Sequence, residues 1–307
     1  MKSKIFQHLF FILGILYWAF CSHYHVVITE ILTDWMDTPY GRFLPREYVY
    51  EFSAFLFFVT LLFILYKSIK GTSRIKTLLY WFFVFLSVVL SYRFLITVPI
   101  EIVHFPQYAL LSIILAYSLD REKNKFLILK ILFIVTILGI LDEFYQYVYL
   151  TKKSSHYLDF NDFFLNQVGA SIGILIYYGF SREPKIDENI KKFTIPIKTL
   201  LIVIVGITII FSLLSSNINF RATHEIEPGG FSEKDGKTIF YLERIPEKFG
   251  NWVLDDKETG YFYILDPILG ILFLLCYGLL FGTYDRRFYY SFIEVIMKQN
   301  IPIIKKE

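Results

Sequence analysis

The sequence predicts an all-helical integral membrane protein with eight transmembrane helices and a small extracytoplasmic insert between the seventh and the eighth. Three observations predict it. Of 307 residues, 55% are hydrophobic and 19% charged, with a mean hydropathy of +0.49; a soluble chain of this length carries about 25% charge and breaks its apolar runs more often. Eight stretches of about 20 predominantly apolar residues, the helical length that crosses a hydrocarbon core of about 30 Å, are bounded by charges or turn residues. Lys and Arg gather at one set of their ends. The net charge of +3 is scattered between apolar runs and excludes a nucleic-acid partner.

The predicted spans are Ile5–His23, Tyr48–Tyr66, Thr77–Ile96, Ile102–Leu119, Phe126–Tyr147, Phe160–Phe180, Ile197–Ser215 and Ile264–Thr283. Hydrocarbon leaves unpaired N–H and C=O groups without partners, so each run reads as a helix. Lys2 and Lys4 precede the first run in the manner of a secretory signal, but Phe20 and Cys21 give no small-residue cleavage site, so this run reads as a retained anchor. Cys21 near one face and Cys276 deep in the last run differ in depth and predict no disulfide.

Orientation follows from the basic residues. One set of ends, from Lys2 through the segments 67–76, 121–125, 182–198 and 286–306, holds nineteen Lys and Arg, whereas the short loops on the other side hold Arg42, Arg46, Lys152 and Lys153. The rich side is the cytoplasm, which predicts a multi-pass protein of the cytoplasmic (inner) membrane with both termini cytoplasmic. Residues 216–263 differ in composition. Lys237–Glu243, Asn251–Leu254 and Gly260–Tyr263, set between Gly, Pro and Asp, read either as short strands of an outer subdomain or as an irregular loop on the membrane surface. Beyond Tyr284, Phe288, Phe292, Val295 and Ile296 share one helical face, a pattern for an amphipathic tail on the inner surface.

Ionisable residues at membrane depth are costly, so their positions are informative. Glu101 and His104 open the fourth span, Asp142, Glu143 and Gln146 close the fifth, and His156, Asp159, Asp162 and Asn166 surround the start of the sixth, all at the outward level. Glu101 and His104, Glu143 and Gln146, and Asp159 and Asp162 are each three apart, which places each pair on one helical face. Asp162, Asn166, Gly169 and Gly173 form one stripe, and Gly139, Glu143 and Gln146 another. Glycines let backbones approach closely, so the stripes predict helices packed around a shared polar pocket, with Gly169 and Gly173 against another helix of the 77–180 core, the fifth span before the others. Solvated helix ends are the ordinary alternative for any single residue, and His156 or Asp142 fits it readily.

At these residues the chain resembles the VanZ-like family of bacterial membrane proteins. The matching residues are Glu101 with His104-Phe105 and Tyr108, then Glu143 with Gln146, then Asp159, Asp162, Asn166, Gly169 and Gly173. His156 stands where the family usually has Arg, and Glu101 where Lys is common, so this pocket is more acidic than the family pattern. Any role that needs a permanent cation then falls to Arg93, Lys152 or Lys153. The resemblance covers roughly residues 50–180 and implies an envelope protein, in a family whose eponym is linked to low-level resistance to the glycopeptide teicoplanin. It divides the chain into an anchor helix and outer loop (1–47), a VanZ-like core (48–183), a cytoplasmic linker and seventh helix (184–215), the insert (216–263), and the eighth helix with its tail (264–307).

The function expected is binding or modification of a lipid headgroup or a lipid-linked cell-wall precursor at the outer leaflet. Glu143, His104 and Asp162 are the candidate catalytic residues. Glu143 is the acid or base, and His104 the proton carrier. Glu101, Gln146, His156, Asp159, Asn166 and Arg93 are the candidate substrate-binding residues. No nucleophile elbow, phosphate loop or His-rich metal motif selects a reaction. No cofactor is expected. The alternative is one divalent cation, because Glu101-x-x-His104 has a spacing that carboxylate-bridged sites use. A non-catalytic assembly protein shares every feature of this reading, and a transporter would need polar groups continuing to the cytoplasmic side. Membrane lipids are the expected partners, and oligomeric state is not legible.

Overall fold

The computed structural model describes residues 2–28, 75–97, 99–123, 127–179, 218–254 and 261–284, with scattered helical positions between 55 and 66. Six α-helices are described: α1 (Lys2–His23), α2 (Ile75–Phe94), α3 (His104–Leu119), α4 (Ile128–Tyr145), α5 (Phe160–Tyr178) and α6 (Pro267–Gly282). They match predicted spans within a few residues. A 3-10 turn, Pro99–Val103, leads into α3, and a π turn, Gln146–Leu150, prolongs α4. Among the described residues, three segments are long and apolar enough to cross a membrane: Ile5–His23, Ile75–Phe94 and Ile100–Leu119. The run Ile197–Ser215, most of Tyr48–Tyr66 and the tail beyond Tyr284 lie outside the described residues.

Helix α5 is the axis of the bundle. Nearly all its residues are buried, and α2, α3, α4 and α6 pack around it while α1 lies across α3. A helix so largely enclosed can carry Asn161, Asp162, Asn166, Gln167 and Ser171 because all five are buried among its neighbours, Asp162 least completely. The outer helices are built the other way. Leu9 and Leu16 of α1, Leu79 and Phe82 of α2, and Ile268 and Ile271 of α6 are all exposed, an apolar exterior of the kind that lipid covers.

The glycine stripe packs against another helix of the 77–180 core as expected, but the partner is not the fifth span. A Cβ on Gly169 would lie 2.8 Å from the carbonyl oxygens of His104 and Phe105, and one on Gly173 would strike the Ala109 carbonyl and Ser112 Oγ. The stripe therefore seats on α3, not on the fifth span. Asn166 packs against α4 instead, its side chain lying over Gly139, where an added Cβ would sit 3.1 Å from Asn166 Nδ2. The reason lies in residue size: Ala109 and Ser112 give α3 a small-residue face, whereas α4 presents Glu143, Leu138 and Val135.

The insert is built of strands, which decides between its two readings. Strands β1 (Ile218–Arg221), β2 (Phe231–Lys234) and β3 (Lys237–Glu243) form one sheet in the order β1-β3-β2, and β4 (Trp252–Leu254) pairs antiparallel with β5 (Tyr261–Tyr263). Asp235 (φ 53°) and Gly236 (φ 71°) make the β2–β3 turn, with both central residues in the left-handed region that a tight hairpin of this hand requires. Inside the sheet, fully buried Glu243 pairs with Arg221 and accepts the amides of Lys248 and Phe249.

The insert rests on the loop that starts α5. Leu158 N donates to Leu242 O at 2.8 Å, and Arg244 N donates to His156 O at 2.8 Å. At the opposite end of the bundle, Thr77 of α2 lies against Gly179 O and the Tyr284 hydroxyl, and Tyr178 OH donates to Asp120 Oδ2 at 3.0 Å.

A buried polar cluster at the insert end

The cluster assembles where α3 and α5 begin and α4 ends. His104 is the first residue of α3, and its Nδ1 lies 2.7 Å from Asn166 Oδ1 on α5. A side-chain carbonyl only accepts, so Nδ1 carries the proton and Nε2 presents a lone pair. That Nε2 faces Asp162 Oδ2 at 3.6 Å. Asp162 and Asn166 are one helical turn apart, so one face of α5 addresses both nitrogens of a single imidazole.

Helix α4 supplies the other wall. Asp142, fully buried, accepts Tyr108 OH at 2.7 Å and Gln146 Nε2 at 3.1 Å. The same Gln146 nitrogen reaches Glu143 Oε1 at 3.3 Å, bridging the two carboxylates. The π turn begins at Gln146, so the ladder widens one residue after the last α-helical position and directs Gln146 back at the site. Two buried polar atoms in the cluster have no partner among the described residues: Asp162 Oδ1 and Asn166 Nδ2.

Five predicted site residues, His104, Glu143, Gln146, Asp162 and Asn166, are thus brought together and are all buried. Two sit at the edge. Glu101 accepts the amide and hydroxyl of Thr97. Asp159 caps α5, accepting Asn161 N at 2.8 Å and Asp162 N at 3.4 Å; burial raises its carboxyl to about 6 against the pull of those amides. Two others stand apart. Arg93 donates to Tyr261 O at 3.3 Å and lies over Phe94. His156 faces the insert, where burial, and then Lys248 and Arg244, hold its pKa below the ordinary histidine value. It is therefore neutral at pH 7 and does not replace a permanent cation. Lys152 and Lys153 are exposed.

Sequence reasoning missed two members. Asp142, read as readily solvated, is sealed by Tyr108; the aromatic hydroxyl one turn after His104 was the available signal. His25, just past α1, brings its ring to 6.1 Å from that of His104. A histidine beyond the end of an anchor helix carries no spacing relation to the other helices, so only the fold reveals it. Below the cluster, Gln167 Nε2 donates to Thr136 Oγ1 at 3.3 Å, and the neighbouring buried side chains Leu111, Leu115, Ile131 and Ile174 are apolar.

Chemically, the site offers one imidazole with its tautomer fixed, three buried carboxylates, two carboxamides and a phenol. It can hold a proton, a cation or a polar group at a depth that water does not freely fill. No family, curated protein or solved structure matches this chain.

Proposed function

We propose that the protein is a VanZ-like multi-pass protein of the bacterial inner membrane whose outward-facing pocket binds the headgroup of a lipid or lipid-linked cell-wall precursor. The observation that carries the reading is the unmet bonding capacity of the cluster: a buried acceptor, Asp162 Oδ1, and a buried donor, Asn166 Nδ2, share one face of α5. An unsatisfied buried polar atom costs about 1–3 kcal/mol, and a bound headgroup would satisfy both. Access is consistent with this, since the Asp162 side chain remains 12% exposed at the end of the bundle. The apolar exterior supports a bilayer setting, and the insert marks the outward end in the orientation that the basic residues favour.

Mass spectrometry of the full-length protein, released from membranes in mild detergent, tests the reading. A lipid or lipid-linked species retained by wild type and lost from Glu143→Gln is the expected result. Equal retention by both proteins would remove the pocket from the reading.

A further inference from the structure

We propose that His104, Glu143 and Asp162 form a divalent-cation site, an inference that rests on the pocket reading and names what gives that pocket positive charge. One ligand atom from each residue lies within 4.8 Å of the others, and all three residues are buried. They come from three different helices, so the arrangement is a product of the bundle and not of one helical face.

The bonding pattern points to a cation. His104 Nδ1–H is committed to Asn166 Oδ1, so in the neutral ring Nε2 turns a lone pair toward Asp162 Oδ2 at 3.6 Å, a gap that a proton or a cation fills. A metal-binding histidine characteristically donates its other N–H to a fixed oxygen, which sets the tautomer and the ring orientation. Asp162 is 9% exposed, and its Oδ1 has no hydrogen-bond partner, which leaves the carboxylate with an unused donor pair. Asn166 Nδ2, also unpartnered, is placed to donate to an oxygen held there. Outside the ligand set, Gln146 steadies Glu143 and Tyr108 steadies Asp142.

Charge balance agrees. Among the described residues, no Lys or Arg side chain pairs with Asp142, Glu143 or Asp162. Buried carboxyls are neutralised by a proton or by a compensating charge, and a cation competes for the same oxygens. Arg93, Lys152 and Lys153, the sequence-level candidates for a fixed cation, are placed elsewhere. A divalent metal would balance the two ligand carboxylates, Glu143 and Asp162, and give an anionic, phosphate-bearing headgroup a positive centre to meet. One imidazole nitrogen with two carboxylate oxygens suits Mn²⁺, which accepts both donor types, better than strongly oxygen-seeking Ca²⁺ or thiolate-seeking ions.

The test uses the full-length protein in detergent, stripped with chelator and titrated with Mn²⁺. Electron paramagnetic resonance should show one Mn²⁺ per chain with hyperfine coupling to an imidazole nitrogen. Asp162→Asn and His104→Ala should weaken binding about tenfold or more, while Asp235→Asn, an exposed carboxylate in the β2–β3 turn, should bind within about threefold of wild type. If the variants fail to fold, the wild-type spectrum decides alone. Absence of stoichiometric Mn²⁺, or Mn²⁺ without nitrogen coupling, overturns the site. Headgroup retention by chelated protein that binds no Mn²⁺ would overturn the cation site and keep the pocket reading. Mn²⁺ bound with no retained headgroup would keep the site and end the pocket reading.

Discussion

Asn161 and Asn166 lie five residues apart on α5 and have opposite hydrogen-bonding states. Asn161 is fully buried and fully used: Nδ2 donates to Leu95 O and Tyr263 O, each at 2.8 Å, and Oδ1 accepts Leu265 N at 2.9 Å. One side chain thereby ties the end of α2 and the exit of β5 to the start of α5. Asn161→Ala would remove three hydrogen bonds and leave two buried backbone groups, Leu95 O and Leu265 N, without this partner, at about 1–3 kcal/mol each. The expected outcome is a loss of at least about 2 kcal/mol, read as a clear fall in thermal midpoint in detergent. Asn166 keeps one donor unused and Asp162 one acceptor, and such incompletely satisfied groups mark a working site more than a structural one. Glu143→Gln and Asp162→Asn preserve shape and remove charge, so both variants should accumulate and melt near wild type while losing the retained headgroup. Loss of folded protein in both would make the cluster a structural network. The polar stripe Asp162-Asn166 was legible from spacing, because period and chemistry coincide. Asn161 was not, because its partners are backbone groups of distant segments, and no side-chain pattern announces them.

Between helices, the decisive feature is how close α3 and α5 come. The Gly169–Gly173 stripe showed that some helix approaches α5 closely, yet which helix does so depends on the small face Ala109–Ser112 of the partner, a property of pairs that one helix does not encode. Gly173→Ala already places a methyl on the Ala109 carbonyl, so folded yield should drop sharply. Gly278→Ala, whose Cβ would meet only Gln167 Nε2 at 3.4 Å, should express and melt like the parent. Equal behaviour of the two variants, compared by size-exclusion recovery and thermal midpoint, would place the stripe outside the contact. In the insert, β3, β4 and β5 were visible as short apolar phrases. β1 and β2 were not, because Phe231–Lys234 is mostly polar and exposed, although the Asp235-Gly236 pair marked its hairpin. Gly236→Val would force a β-branched residue to a φ of 71°, which should destabilise the β2–β3 hairpin by about 1–2 kcal/mol without altering metal or headgroup binding.

Across the whole molecule, helix direction tests the eight-span reading. Helix α5 starts beside the insert and ends at Gly179, next to Thr77 and Tyr284, yet the chain returns at Ile218 within the insert. Residues 179 and 218 therefore lie at opposite ends, and the run Ile197–Ser215 between them lies outside the described residues. Helix α1 ends at the insert end, with His23 near Tyr145, and α2 begins at the other end, where Lys76 Nζ donates to Tyr284 O at 2.7 Å; most of the run Tyr48–Tyr66 likewise lies outside the described residues. Charge asymmetry and helix direction are independent, and both put 120–123 opposite the insert. With Cys21 and Cys276 replaced by Ser, a cysteine at Asp235 should react with a membrane-impermeant maleimide in intact cells, and one at Glu122 only after permeabilisation. The reverse pattern would invert the protein and turn the cluster toward the cytoplasm. Labelling of both from outside would break the alternation on which the count of eight depends, because Asp235 and Glu122 are separated by the full length of α5.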